Sequence, residues 1–247
     1  MFNCFVFVLL QLFFVVVLSR KIYFPSYLKP CSLSAPDFSS CCLQHGREAI
    51  PFILKGDKKF GIPNLQPLNV PYVEVNAGRD LTIFLKDLKV HGLENVDLKL
   101  VKIDTKAKRI TLKLDVPKLE LIGQYKVDGK IMILPIKGEG DVSITAIGGK
   151  YEYDFDYVLE NVKGEEYMAM TTNDELDFKL EKAVFKLDNL FNGDEVLGKQ
   201  MNSFLNDNWK EVIGELGGAI SQTVGTLARS IVSGIFKKIP YKALILA

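Results

Sequence analysis

The chain has almost no histidine, with His45 and His91 alone among 247 residues. The first falls in a helical stretch and the second in a His-Gly turn. Neither has a nucleophile or metal-ligand partner at useful spacing, so acid–base and His-based metal chemistry have little to build on. Also missing are a G-x-S-x-G elbow, a GxxxxGK[ST] loop, a GxGxxG turn after a strand and an HExxH helix. Their absence removes the usual hydrolase, nucleotide and zinc-protease readings. Neither sign of charge dominates: 31 basic side chains face 30 acidic ones, for a net charge of +1. Nucleic-acid binders concentrate positive charge on one face. Here the basic runs stop at pairs such as Lys58-Lys59 and Lys237-Lys238, which read as solvated surface. No Asn-x-Ser/Thr acceptor occurs, so no N-glycan is expected. The expectation is no catalytic residue, no metal, no cofactor and no nucleic-acid partner.

No apolar run reaches the roughly 20 residues that span a bilayer. The nearest approach is Phe5 to Leu18, apolar except for Gln11 and followed by Ser19, Arg20 and Lys21. It resembles the core of a secretory signal, with Val17 and Ser19 at the small-residue positions before a cut. Residues 1–19 are therefore expected to be a signal peptide and 20–247 a single secreted, extracellular domain. The competing reading is an uncleaved anchor. Cys4 leaves with the signal, and Cys31, Cys41 and Cys42 remain. In an oxidising compartment Cys31 should pair with one of the other two, leaving one thiol.

What the chain has in quantity is apolar periodicity, with 48% hydrophobic residues. Between Phe38 and Lys55 the spacing predicts a short helix capped by Ser39 or Ser40, interrupted at Pro51 and stopped by Gly56. Residues 61–72 carry three prolines and read as an extended connector. From Val73 to Leu190 the period becomes two. Ile110, Leu112, Leu114 and Val116 form one apolar row, and Tyr125, Val127, Ile131 and Ile133 another. Further rows are Val142, Ile144 and Ala146; Tyr151 to Leu159 at odd positions; and Leu176, Phe178 and Leu180. This predicts an antiparallel meander with one buried face. Turn signals stand at Gly78, His91-Gly92, Asp104 to Lys108, Gly148-Gly149, Lys163-Gly164 and Asn173-Asp174. Glu152, Asp154 and Asp156 fall on the outer face and read as solvation. From Val196 onward apolar residues recur at three and four positions, predicting a helix of about forty residues, on the order of 60 Å. Gly217-Gly218 offers a bend midway. The fold class is α+β, a long C-terminal helix wrapped by a highly curved antiparallel sheet, with a short N-terminal helix.

A sheet wider than the helix it wraps leaves interior space, and that interior is the candidate site. Its expected lining from the strands is Ile110, Leu112, Leu114, Tyr125, Val127, Ile131, Ile133, Ile144, Tyr153, Phe155, Tyr157, Met168, Met170 and Phe178. The helix adds Phe204, Trp209 and Ile213. The function expected is a carrier for a small hydrophobic ligand, a terpenoid or fatty lipid. The alternative is an extracellular interaction protein with a packed core. A hydrolase would need a nucleophile beside a histidine, with Cys42 its only foothold.

Four stretches carry a family resemblance. They are Cys31 with Cys41 and Pro51; KKFGIPNLQPLNVPYVEV at 58–75; GDEVLGKQMNSFLNDNWKEV at 193–212; and IFKKIPYKAL at 235–244. With these the chain resembles the insect takeout and juvenile-hormone-binding protein family over essentially its whole mature length. The resemblance implies a tubular lipid-binding fold with a hydrophobic ligand, such as juvenile hormone, in an internal tunnel. It implies a disulfide between Cys31 and Cys41, from which the adjacent Cys42 departs. It further implies roles like those of the takeout branch in feeding, circadian output or chemosensation. The expected partner is the small hydrophobic ligand alone, carried by a monomer without stable membrane insertion. Contact with a receptor or membrane would be transient, during ligand exchange.

Overall fold

A computed structural model describes residues 24–77 and 81–246. The signal and its cleavage site, and the Gly78 turn, lie outside the described residues. The chain runs β1 (Cys31–Ser32), α1 (Phe38–Leu54), β2 (Leu68–Ala77), β3 (Leu81–His91), β4 (Asp97–Asp104), β5 (Arg109–Ile131), β6 (Leu134–Val162), β7 (Glu165–Lys179) and β8 (Lys182–Leu187). It ends with α2 (Glu195–Asp207), α3 (Trp209–Phe236), α4 (Tyr241–Leu244) and β9 (Ile245–Leu246).

Strands β2 to β8 form one seven-stranded antiparallel sheet built on two very long members. The apolar rows at 110–116 and 125–131 are one 23-residue strand, β5. Those at 142–146 and 151–159 are one 29-residue strand, β6. The two pair from Arg109↔Asp156 to Ile131↔Leu134. One half of this ladder is flanked by β4 and β7, the other by β3 and β8. A 29-residue strand would reach roughly 95 Å if straight, whereas the 28 residues of α3 span roughly 42 Å. The strands therefore have to coil across the helix.

The places where they bend correct two expected turns. Gly148-Gly149 lies inside β6, where the ladder keeps its register from Val116↔Gly149 to Lys118↔Ile147 and leaves Pro117 opposite Gly148 without a ladder pair. Gly148 takes φ +62°, and a Cβ there would lie 2.3 Å from the Glu181 side chain. Asn173-Asp174 likewise lies inside β7. The register jumps from Phe155↔Asp174 to Tyr157↔Met170, a bulge over Asp156. The β5–β6 turn also falls earlier than the alternation suggested. Met132 turns at φ +55°, which leaves Ile133 86% exposed and removes it from the interior. The proline-rich connector becomes strand from Leu68. Pro71 sits on the edge strand where the β2–β3 ladder skips from Val70↔Leu88 to Tyr72↔Lys86, so its missing N–H costs no ladder bond.

The C-terminal helix is two helices. The break is at Asn208 (φ −111°, ψ 31°), whose side-chain amide donates to the Phe204 carbonyl at 2.8 Å. Gly217 and Gly218 stay within α3. Asp194 caps α2, its carboxylate accepting from the N–H groups of Val196 at 3.1 Å and Leu197 at 2.9 Å. In α1, Asp37 rather than Ser39 or Ser40 holds the N-cap position, and the helix continues through Pro51. Proline in the last turn costs only one helical hydrogen bond. Gly56 ends the helix as expected, at φ +80°, donating to the Ile53 carbonyl at 2.9 Å.

Three apolar clusters form the core. The largest joins β2, β3, β5, β6 and β8 to α2 and the first half of α3, around Tyr125, Val142, Leu205 and Val212. A second joins β5, β6 and β7 to the end of α3, around Tyr153, Phe155, Tyr157 and Phe236. A third, centred on Phe60, Ile62 and Ile239, closes the end where the two termini meet.

Candidate ligand-binding interior

The sequence-predicted site residues divide between two clusters. Tyr125, Val127, Ile131, Ile144, Phe204, Trp209 and Ile213 belong to the first. Ile110, Leu112, Tyr153, Phe155, Tyr157, Met168 and Met170 belong to the second. Leu114 is half-buried on β5 opposite Tyr151. Phe178 stacks on Tyr151 with ring centroids 6.2 Å apart. The structure thus brings these residues to one face of the sheet, Ile133 excepted, but as two groups.

The strand period explains the aromatic row. Tyr151, Tyr153, Phe155 and Tyr157 are alternate residues of β6 and point inward. On the opposite face Asp154 and Asp156 pair with Arg109, at 3.6 and 3.0 Å, and Glu152 pairs with Lys113 at 2.9 Å. These carboxylates clamp β6 to β5 across the outer face. Burial disfavours the phenolate of the inward tyrosines. Tyr151 is pushed up to about 12 by burial alone, and Tyr125 to about 12 by burial and then the nearby Asp188. Tyr153 is raised too, by burial first and then by its bond to Asp174. At neutral pH these hydroxyls are neutral donors.

One polar group lies between the clusters. Asp174, with its side chain 3% exposed, pairs with Arg229 of α3, which is 34% exposed. The Tyr153 hydroxyl donates to Asp174 at 2.8 Å and lies 3.4 Å from the Gly225 carbonyl. Asp174 and Tyr153 hold the Arg229 guanidinium firmly in its charged form, Asp174 contributing most.

Beside this group a groove of about 590 Å³ runs between β7 and α3, open to solvent along one side. Its apolar floor is Leu176, Phe178 and Ile213. Its helix wall is made of small residues, Gly214, Gly217, Gly218, Ser221 and Gly225. A Cβ built on Gly214, Gly217 or Gly218 meets nothing within 4 Å. Only Phe178 and Ile213 of the sequence-predicted residues line it. Asp174, Arg229 and the glycine wall were not among the sequence-predicted residues, because large side chains are what periodicity marks as an interior. The usable signal was the spacing of small residues on one face of a helix that is otherwise apolar. A smaller groove, about 240 Å³, lies between α1 and β4 around Arg47, Leu54 and Leu98.

Neither histidine joins these grooves. His45 sits beside the disulfide, its Nδ1 3.3 Å from Cys31 Sγ and 3.1 Å from the Lys29 carbonyl. Cys31 and Cys41 are bonded, with Cα atoms 6.0 Å apart, so their sulfurs are not available to a metal beside His45. Cys42 is free and half-buried, and burial raises its thiol pKa. His91 ends β3.

A family model for haemolymph juvenile hormone binding protein (JHBP) matches residues 7–246. The chain belongs to that family. Among its relatives, the circadian clock-controlled protein daywake of Drosophila yakuba is 27% identical over 231 residues, covering 88% of this chain and 86% of that protein. Daywake of Drosophila melanogaster is 28% identical over 231 residues with the same coverage. The crystal structure of Epiphyas postvittana Takeout 1 superposes with a TM-score of 0.79 at 25% identity, covering 89% of this chain and 100% of that one. The stretches that carried the family resemblance have physical roles here. Residues 58–75 and 235–244 supply Phe60, Ile62 and Ile239, which pack together as the third cluster. The stretch at 193–212 carries the Asp194 cap and two asparagines that seal β8. Asn206 and Asn202 each donate to and accept from one backbone residue of that strand, Phe185 and Leu187 respectively, at 2.8–2.9 Å.

Proposed function

We propose that this protein is a secreted carrier that binds a small hydrophobic ligand, a terpenoid or a fatty lipid, between the concave face of its sheet and α3. The observation that carries the reading is the unfilled groove of about 590 Å³ with an apolar floor, between two apolar clusters that share one helix. Its volume falls in the range of small-molecule sites. Membership of a family named for hormone binding supports the same reading. The interior candidates at the groove, Phe178 and Ile213, with Tyr153, which bonds Asp174 of its lining, are assigned to the ligand's surroundings, and the rest of the aromatic row to the frame of the sheet. A chain of fifteen to twenty carbons burying roughly 400 Å² gains about 10 kcal/mol gross at about 25 cal/mol per Å². Ordering and lost translation remove much of that. Micromolar to nanomolar affinity is then reachable without a covalent step. Kinship to daywake, a protein named as circadian clock-controlled, supports a clock-linked role for the carrier.

The test is thermal. Delipidated protein is heated with and without a panel of terpenoids and fatty lipids. A ligand at a hundred times its Kd adds about 2.7 kcal/mol, which for a domain of this size raises Tm by roughly 5–10 °C. A panel that leaves Tm unmoved throughout would point instead to a packed interaction protein.

A further inference from the structure

Strand β7 ends its side of the sheet. It is laddered to β6 along one edge, and among the described residues its other edge carries only the bridge Tyr167↔Pro240. Alternate residues of such a strand direct their N–H and C=O groups away from the ladder. The open groove runs beside this edge. Five consecutive residues line it, Asp174 to Phe178, and since neighbours along a strand point to opposite faces, the groove follows the edge for about 15 Å. Across from them, Gly214, Gly217 and Gly218 leave the helix side clear.

We propose that this edge takes a further strand from a partner protein, an extended segment with Lys or Arg at alternate positions and an apolar residue between them. The charge pattern of the sheet's outer face selects that occupant. Lys113 on β5 pairs with Glu152 on β6 at 2.9 Å, and Glu152 stands directly opposite Asp177 on β7. In the next row Arg109 on β5 reaches Asp154 at 3.6 Å, and Asp154 stands opposite Glu175. Each row runs cation, anion, anion and stops at the edge. Glu175 and Asp177 are exposed and form no ion pair among the described residues. Like charges directly opposite across a ladder are destabilising, and a cation on an added strand balances each row. Glu175 and Asp177 share a face two residues apart, so the added cations are two residues apart as well. The residue between them turns inward with Leu176, onto the apolar floor and the glycine wall. Main-chain bonds then give affinity and alternate side chains give specificity. A second copy of this chain fits the edge poorly, because β7 against β7 centred on Leu176 sets Glu175 against Asp177. A strand seated here also closes the open side of the groove, whether or not the interior holds a ligand.

The test uses the full chain and a fluorescent, end-capped heptapeptide alternating lysine with valine, with its glutamate–valine counterpart as the charge control. The lysine peptide should bind saturably, at least tenfold tighter than the glutamate one, and should slow amide hydrogen exchange at residues 174–178. Glu175→Lys combined with Asp177→Lys should weaken the lysine peptide at least tenfold and favour the glutamate one. These changes set cations opposite Asp154 and Glu152, so the variant's Tm should stay level or rise. No saturable binding, or equal affinity for the two peptides, would overturn the proposal. So would lysine-peptide binding that leaves exchange at 174–178 unchanged, since that is charge attraction without an added strand. Lipid uptake is read separately by the thermal panel, so failure here leaves the carrier reading standing.

Discussion

Tyr125, Tyr151, Tyr153 and Tyr157 show how single residues on the inner face couple packing to chemistry. Each is held neutral mainly by burial, and Tyr125 also bonds the Asp188 carbonyl at 2.8 Å. Their folded-state pKa values lie above the unfolded value near 10, so the stabilisation is fully present below pH 10. It is lost as pH rises from 10 through about 12, because the unfolded chain has by then released protons that the folded one retains. A spectrophotometric titration followed together with circular dichroism should show these phenols ionising only as the sheet melts. Ionisation near pH 10 with the fold intact would mean that the inner face is wet. The inward orientation of this row was legible in the sequence, because alternation with Glu152, Asp154 and Asp156 leaves no other assignment. The Asp174–Arg229 pair was not. The residues are 55 apart in sequence, and Asn173-Asp174 reads locally as a turn.

At the scale of elements, local signals gave the right residue types but not always the right use. Gly148-Gly149 has the composition of a turn, yet both lie within the long strand β6, where Gly148 takes φ +62° opposite Pro117. The helix break shows the reverse. Gly217-Gly218 was the obvious weak point, yet those residues stay helical within α3, while Asn208 turns its amide back on Phe204 and splits the helix. The asparagine pair on α2 invites a direct test. Asn206 donates to the Phe185 carbonyl and accepts from its N–H, both at 2.8 Å. Asn206→Ala leaves two half-buried backbone groups of β8 without partners, which should cost about 2–3 kcal/mol in denaturant unfolding. Asn202→Ala should behave alike at Leu187. A loss below a few tenths of a kcal/mol would mean that water replaces the amide and that α2 does not seal the edge.

The molecule as a whole is an open sheet of seven strands coiled over one broken helix, closed at one end where the termini meet. That ending was hard to foresee. Ile245 pairs with Cys31 in a short parallel bridge and is buried. The disulfide between Cys31 and Cys41 then ties the same corner to α1. Fold class and the one-sided interior were readable from periodicity, since both are consequences of spacing. The groove was not, because it is made by small side chains and by the distance between two clusters, neither of which leaves a local pattern. The account stands or falls on whether that interior holds a lipid in life. Native mass spectrometry of the protein purified from its own source, followed by organic extraction, measures this directly. The predicted result is a stoichiometric isoprenoid or fatty lipid released on extraction. A clean apo mass, unchanged after exposure to a terpenoid and fatty-lipid panel, would contradict it.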